Sequence, residues 1–331
     1  MKKVNDGVYT SIFAGFLVSC INCALLIYVF NKFKDLNLVA ISELLFGKIF
    51  GRIFSAIFIT MSLVMAFLYF RGLALITRLY LLPNTNVSTV AVLSLFILFS
   101  SLKNSDKTYL QLTGYYTVII IMWSIIYLVF GISSIDWDYA IGSVIHSTKF
   151  LSLSNIAASA FMCNGIYLLA LFNPQFKKIS FKKTVLIFML VGIPVMVLML
   201  LIPIGRWGPS AVKNILLNQI ITSDTIGIDF FIIERVMFLF IPLFILLAVC
   251  NMINFCFTAI GLLKNYKIIN KHNVVASFVI GILFVLATVF VVGAGQYFTV
   301  GYYWVQIWFV FQLFTSITLF VGAILRRGKS K

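Results

Sequence analysis

Nine apolar runs, each close to the roughly 20 residues that cross the hydrocarbon of a bilayer, set what this chain can fold into. They lie at about 8–31, 53–81, 86–101, 112–131, 151–172, 182–204, 234–262, 273–294 and 301–325. In lipid every backbone polar group must be satisfied internally, which leaves helices and closed barrels. The runs are continuous rather than alternating, so a barrel is excluded. Composition agrees. Hydrophobic residues make up 62% and charged residues 10%, against about 45–50% and about 25% in ordinary globular chains. Mean hydropathy is +1.09. So few charges cannot cover a water-facing surface, which excludes a soluble enzyme, a disordered chain and a secreted disulfide scaffold. The expectation is an all-α polytopic membrane protein, one integral membrane domain over 1–331. The first run reads as a span rather than a cleavable signal, because it is long and lacks a small-residue cleavage site.

Net charge is +16, from 25 Lys and Arg against 9 Asp and Glu. The basic residues cluster between apolar runs, so they report topology rather than nucleic-acid binding. Lys32, Lys34, Lys48 and Arg52 follow the first run, and Lys103 and Lys107 the third. Lys177, Lys178, Lys182 and Lys183 follow the fifth; Lys264, Lys267 and Lys271 follow the seventh; Arg326, Arg327, Lys329 and Lys331 end the chain. These alternate connections share one side, the cytoplasm by the positive-inside rule, and nine spans then place the N-terminus outside and the C-terminus inside. Lys2 and Lys3 disagree, since they fall outside. The segment 36–48 reads either as an interfacial helix or as an extension of the second span. Ser210–Ile221 reads as one short surface helix.

Chemistry-bearing residues are few. Cys20, Cys23, Cys163, Cys250 and Cys256 all lie in apolar runs, and the two histidines, His146 and His272, sit near span ends. No metal, cofactor or catalytic site is expected. Polar groups inside spans are costly unless paired, so they are the candidates for a site. No Asp or Glu falls near the middle of a span, which gives an ion-coupled relay weak support. In the fifth span Cys163-Asn164-Gly165 can open the helix and expose backbone groups to a ligand; alternatively Gly165 marks a close helix contact. Asn251, Asn254 and Thr258 share one face of the seventh span, as a pocket wall or as interhelical hydrogen-bonders. Thr60 is a weaker candidate, because a hydroxyl can bond its own helix. Arg71, deeper than Arg78, reads as a partner of a helix C-terminus or of Glu234.

Four stretches carry a family resemblance. They are 38–84, with "LVAISELLFGKIFGRIF" and a Leu-Leu-Pro ending; 160–183, "AFMCNGIYLLALFNPQFKKISFKK"; 231–247, "FIIERVMFLFIPLFILL"; and 254–262, which continues that helix. In order and spacing they resemble the B subunits of the Ger-type spore germinant receptors, permease-like members of the amino acid–polyamine–organocation transporter superfamily. The resemblance implies an inverted repeat of five plus five helices, with 8–131 the remainder of the first repeat and 151–325 the second. It implies a membrane subunit of a spore germinant receptor, in the spore inner membrane. Its partners would be the lipid bilayer, a second membrane subunit, a lipoprotein and a small germinant such as an amino acid, with no nucleic acid. By position, Cys163, Asn164 and Gly165 match the break in the family's sixth helix, Thr60 lies on its third, and Asn251 and Asn254 on its eighth. Two departures stand out. Ile166, Tyr167 and Leu168 occupy places where the family often has an acid. The first apolar run matches the family's second helix, so its first helix has no counterpart, which fits a late start codon, a decayed paralogue or a different binding mode. The competing readings are an amino-acid transporter of the same superfamily and a ligand-free structural subunit.

Overall fold

A computed structural model describes residues 8–145, 152–161, 164–176, 178–212, 214–215, 217–227, 234–266, 274–290 and 294–326. Cys163, Lys2, Lys3, His146, Lys149, Lys177, Asp229, Lys267, Lys271, His272, Arg327, Lys329 and Lys331 lie outside the described residues. The described chain is helical. Its elements are α1 (Val8–Lys32), α2 (Leu38–Phe46), α3 (Lys48–Tyr80), α4 (Val87–Leu102), α5 (Asp106–Ile132), α6 (Trp137–Ile145), α7 (Leu153–Phe161), α8 (Leu169–Phe172), α9 (Phe181–Ile187), α10 (Ile193–Trp207), α11 (Pro209–Val212), α12 (Asn218–Asp224), α13 (Met237–Leu263), α14 (Val274–Phe290) and α15 (Ala294–Leu325). Six stretches are long and apolar enough to cross a membrane: Tyr9–Lys32, Lys48–Tyr80, Asp106–Ile132, Phe181–Trp207, Met237–Tyr266 and Gly295–Leu325. Val87–Leu102 and Val275–Phe290 are shorter apolar helices. The fifth expected run, 151–172, is divided between α7 and α8. The chain is an all-α polytopic membrane protein.

Local sequence sets several boundaries. The 36–48 segment forms its own helix. Asn37 caps α2 by accepting from the Ala40 N–H at 3.1 Å, and Gly47, at φ 83°, ends it. That left-handed backbone is open to glycine at little cost. Gly51 then allows α3 to fold back on α2: a Cβ there would stand 2.5 Å from the Glu43 backbone. In 181–207 one π-helical turn, Phe188–Gly192, joins α9 to α10 just before Pro194. Proline has no N–H to continue the ladder, so the helix widens rather than breaks. The expected single helix 210–221 is instead two short pieces, α11 and α12, separated by turns closed by Asn214 N–H to Ala211 C=O and Ile215 N–H to Val212 C=O.

Two compact units are made by the chain. The first comprises Met1–Ile21, Thr117–Asn164 and Ser180–Phe244. Its core holds Tyr9, Ile12, Met196, Ile204 and Val212. Tyr9 and Ser143 share a 2.9 Å hydrogen bond, Tyr127 donates to Gln219 at 3.2 Å and the Trp123 indole donates to the Leu239 carbonyl at 2.7 Å. Gly15 lets α1 approach α7, where a Cβ would meet Ser159 at 2.6 Å.

The second unit comprises Asn22–Tyr116, Gly165–Ile179 and Ile245–Lys331. Trp308, Phe58, Phe70 and Phe172 are fully buried in it. Two asparagines tie the segment after α8 to the end of α1. The Asn173 amide donates to the carbonyls of Phe33 and Leu36, each at 2.8 Å. Asn31 pairs with the Ile179 backbone both ways, at 2.8 and 2.9 Å. Lys32 caps the last turn of α15 through the Ala323 carbonyl at 2.5 Å. Asn173→Leu leaves two carbonyls unbonded. The expected cost is about 1–3 kcal/mol, read as a lower denaturant midpoint by tryptophan fluorescence in detergent; an unchanged midpoint would show that these bonds do not hold the segment.

Candidate functional site

The described residues of 152–176 form short helical pieces rather than one span. Ser152 opens α7, its hydroxyl accepting from the Asn155 N–H at 3.2 Å. Regular α-helix ends at Phe161, a 3-10 stretch runs over Asn164–Leu168, and α-helix returns for one turn in α8. A second 3-10 turn, Asn173–Gln175, carries Pro174 and closes the segment. Gly165 is exposed, and nothing lies within 4 Å of where its Cβ would stand. No close packing against this glycine is seen among the described residues. Cys163 lies outside the described residues; Asn164 is placed by its backbone, at the start of the 3-10 stretch.

Two residues beyond Gly165 the chain is pinned. Tyr167 is buried, and its hydroxyl accepts a 2.9 Å hydrogen bond from the Asn22 amide of α1. Its ring lies 6.0 Å from Phe58 of α3 and 5.8 Å, edge-on, from Trp308 of α15. Trp308 in turn meets Phe255 of α13 edge-on at 5.5 Å and Phe311 at 5.9 Å. Tilted and edge-on pairs suit the ring quadrupoles and contribute about 0.5–1.5 kcal/mol each beyond area burial. So the phenol is held by one polar bond and an aromatic nest. The sequence reading missed Asn22, although an asparagine amid an apolar run was signal enough.

A second anchor lies on α13. Asn254 accepts from the Tyr109 hydroxyl of α5. Tyr109 stacks on Phe257 at 4.0 Å and on Phe172 of α8 at 5.6 Å. Asn251 spends its amide on the Leu247 carbonyl of its own helix, at 2.9 Å. Thr258, 3% exposed, has a hydroxyl with no hydrogen-bond partner among the described residues. Thr60 is not brought to this group. It lies on the exposed side of α3, about 200° around the helix from buried Phe58, and returns its hydroxyl to the Ala56 carbonyl at 3.0 Å. Arg71 is buried on α3. Among the described residues the ion pairs are Arg52–Glu43 at 2.6 Å and Arg235–Asp224 at 2.9 Å.

These features define a membrane protein of the permease type: apolar helices, one of them interrupted, with amide–phenol bonds holding the interruption and its neighbour. The chain belongs to the spore germination protein family, whose sequence model matches residues 3–292. It is a germination-related membrane protein. No curated protein and no solved structure matches it.

The Asn22–Tyr167 bond makes a coupling prediction. Removing one partner of a buried hydrogen bond strands the other, whereas removing both with similar shapes is nearly neutral. Tyr167→Phe and Asn22→Leu singly are each expected to cost about 1–3 kcal/mol, and together less than their sum by at least about 1 kcal/mol. A double-mutant cycle from denaturant unfolding in detergent reads this; strict additivity would show that the bond is not formed.

Proposed function

We propose that this chain is the membrane subunit of a spore germinant receptor, which binds a small nutrient such as an amino acid and has no catalytic role. Its working assembly includes a second membrane subunit and a lipoprotein, in the spore inner membrane. Its helices form an inverted repeat, 8–131 and 151–325. The observation that carries the reading is the open space beside Gly165 in an interrupted apolar segment of a germination-family protein. Interrupted helices present backbone groups that can hold a carboxylate or ammonium. Thr60 is no part of this proposal, because it faces away; Cys163, Asn164 and Gly165 provide the backbone, and Asn251 and Asn254 line the neighbouring helix.

Sensing is favoured over ion-coupled transport by the placement of the acids. The described carboxylates, Asp35, Glu43, Asp106, Asp136, Asp138, Asp224 and Glu234, all stand outside the middle of a long apolar helix. A proton or sodium relay uses an intramembrane carboxylate more often than not.

Gly165→Leu fills the open space without striking a neighbour. Expression and unfolding midpoint should persist while the thermal shift given by the responsive L-amino acid disappears. An undiminished shift would remove the interrupted segment from the site. Uptake of that amino acid into proteoliposomes, above protein-free vesicles, would replace the sensor with a transporter.

The proposed orientation places Lys178 in the cytoplasm and Asp138 outside. With a Cys-free background, Asp138→Cys should react with an impermeant maleimide on intact cells and Lys178→Cys only after lysis. The reverse pattern would invert the topology.

A further inference from the structure

Lipid tails are as apolar as leucine, so exposed apolar side chains are ordinary on a chain of this kind. One group of them is concave. Phe50, Ile53, Phe54 and Ile57 stand at i, i+3, i+4 and i+7, one face of the first turns of α3. With Phe46 of α2 and with Phe314 and Thr318 of α15 they line a groove of about 470 Å³. All of these residues belong to the second unit. The groove follows from two close approaches. Gly51 lets α2 fold back on α3, and Gly322 lets α15 meet the end of α2, where a Cβ would stand 3.1 Å from the Phe46 ring. The rings of Phe46 and Phe54 lie 5.6 Å apart.

Its depth is that of one leaflet. Phe50 lies two residues into α3 and Ile57 nine, about 3 and 13 Å along the axis. Thr318 and Phe314 lie seven and eleven residues before the end of α15, about 10 and 16 Å. The hydrocarbon of a bilayer is about 30 Å thick, so the groove runs from the interface to about the midplane. Its shallow end is basic. Lys32 donates to the Ala323 carbonyl, which joins the end of α1 to the end of α15. Lys34, Lys48, Arg52 and Arg326 stand at the same helix ends, against Asp35 and Glu43. Glu43 is taken up by Arg52. Lys48 and Arg326 are exposed and belong to neither ion pair of the described residues. Lys48 opens α3 two residues before Phe50, and Arg326 directly follows α15. Long basic side chains at helix ends extend to headgroup level.

We propose that this groove binds one acyl chain of an anionic phospholipid, whose phosphate sits at the shallow end in the field of Lys48 and Arg326. A basic residue near the membrane surface contributes about a fivefold preference for an anionic lipid. A zwitterionic lipid gains no such preference. Shape and charge together therefore set this lipid apart from the lipid around the rest of the chain. The proposal is independent of whether the protein senses or transports a solute.

The test uses the full chain in phosphatidylcholine nanodiscs that carry a minor share of phosphatidylglycerol with a diazirine in one acyl chain. Photolysis and peptide mass spectrometry should place the label on 50–57 and 314–318 ahead of the exposed Phe278 and Leu283 of α14. Unlabelled phosphatidylglycerol should compete better than phosphatidylcholine. Lys48→Gln and Arg326→Gln should each lower that preference by about fivefold. Thr318→Phe should narrow the groove and reduce labelling there, with α14 unchanged. If Thr318→Phe does not fold, the two exposed-site variants and the wild-type map decide. Label spread evenly over the groove and α14 would make this ordinary boundary lipid. A preference held within twofold in the Lys48→Gln, Arg326→Gln double variant would remove the role of charge. An unlabelled groove would mean that protein, such as a second copy of the chain, covers it. Competition by free glycerol phosphate as strong as by the lipid would make the ligand a phosphate alone. Each of these four results overturns the proposal.

Discussion

A backbone group in hydrocarbon has no water to turn to, and the rest of this structure depends on that. It is why the described chain is helical, and why its polar side chains look inward to their own carbonyls. It also explains how the chain can break a helix at all. Over Asn164–Leu168 the chain is a 3-10 helix, whose i→i+3 bonds satisfy backbone groups in a narrower coil. The interruption is then fixed at both ends by side chains. Ser152 closes the start of α7, and Asn173 bonds the two carbonyls left at the end of α1.

The same constraint governs the buried amides. An amide has four hydrogen-bonding positions and can rarely fill them all in an apolar interior. Asn254 is committed to Tyr109 and Asn251 to its own helix, and Asn173 and Asn31 to loop carbonyls. Asn22 gives its amide N–H to Tyr167. A buried asparagine is therefore not a site because of its type.

The apolar runs made the fold legible before any coordinates, since a run of about 20 residues and a helix are nearly one statement in lipid. Gly47 and Asn37 could have decided the fate of 36–48, because a cap followed ten residues later by a glycine is the signature of a short helix. The helix break was only half legible. Asn-Gly in a span suits both an opening and a close contact, and what surrounds the glycine is a property of its neighbours rather than of those two residues. Tyr109 and Asn22 were not legible as partners. Each is one end of a pair separated by 145 residues, and a single chain carries no mark of which distant phenol meets which amide. Thr60 misled for a related reason: a threonine in a span has no face until the helix is rotated against its neighbours, and this one points out.

What the arrangement offers a membrane protein of this family follows from its energetics. A segment locked by a complete hydrogen-bond set would resist a small ligand, and one with no anchor would collapse into a continuous helix or expose its backbone. Here the aromatic nest around Trp308 is apolar and tolerant of small displacements, while the Asn22–Tyr167 bond is directional and breaks or re-forms as a unit. A ligand can shift such an equilibrium only by its differential affinity for the two arrangements. One new charge-assisted bond is worth about 1.5–3 kcal/mol, enough to change a ratio of states by about tenfold to a hundredfold. The segment that carries Gly165 and Tyr167 thus has one directional side-chain bond, Asn22–Tyr167, to give up before it shifts within its aromatic surroundings.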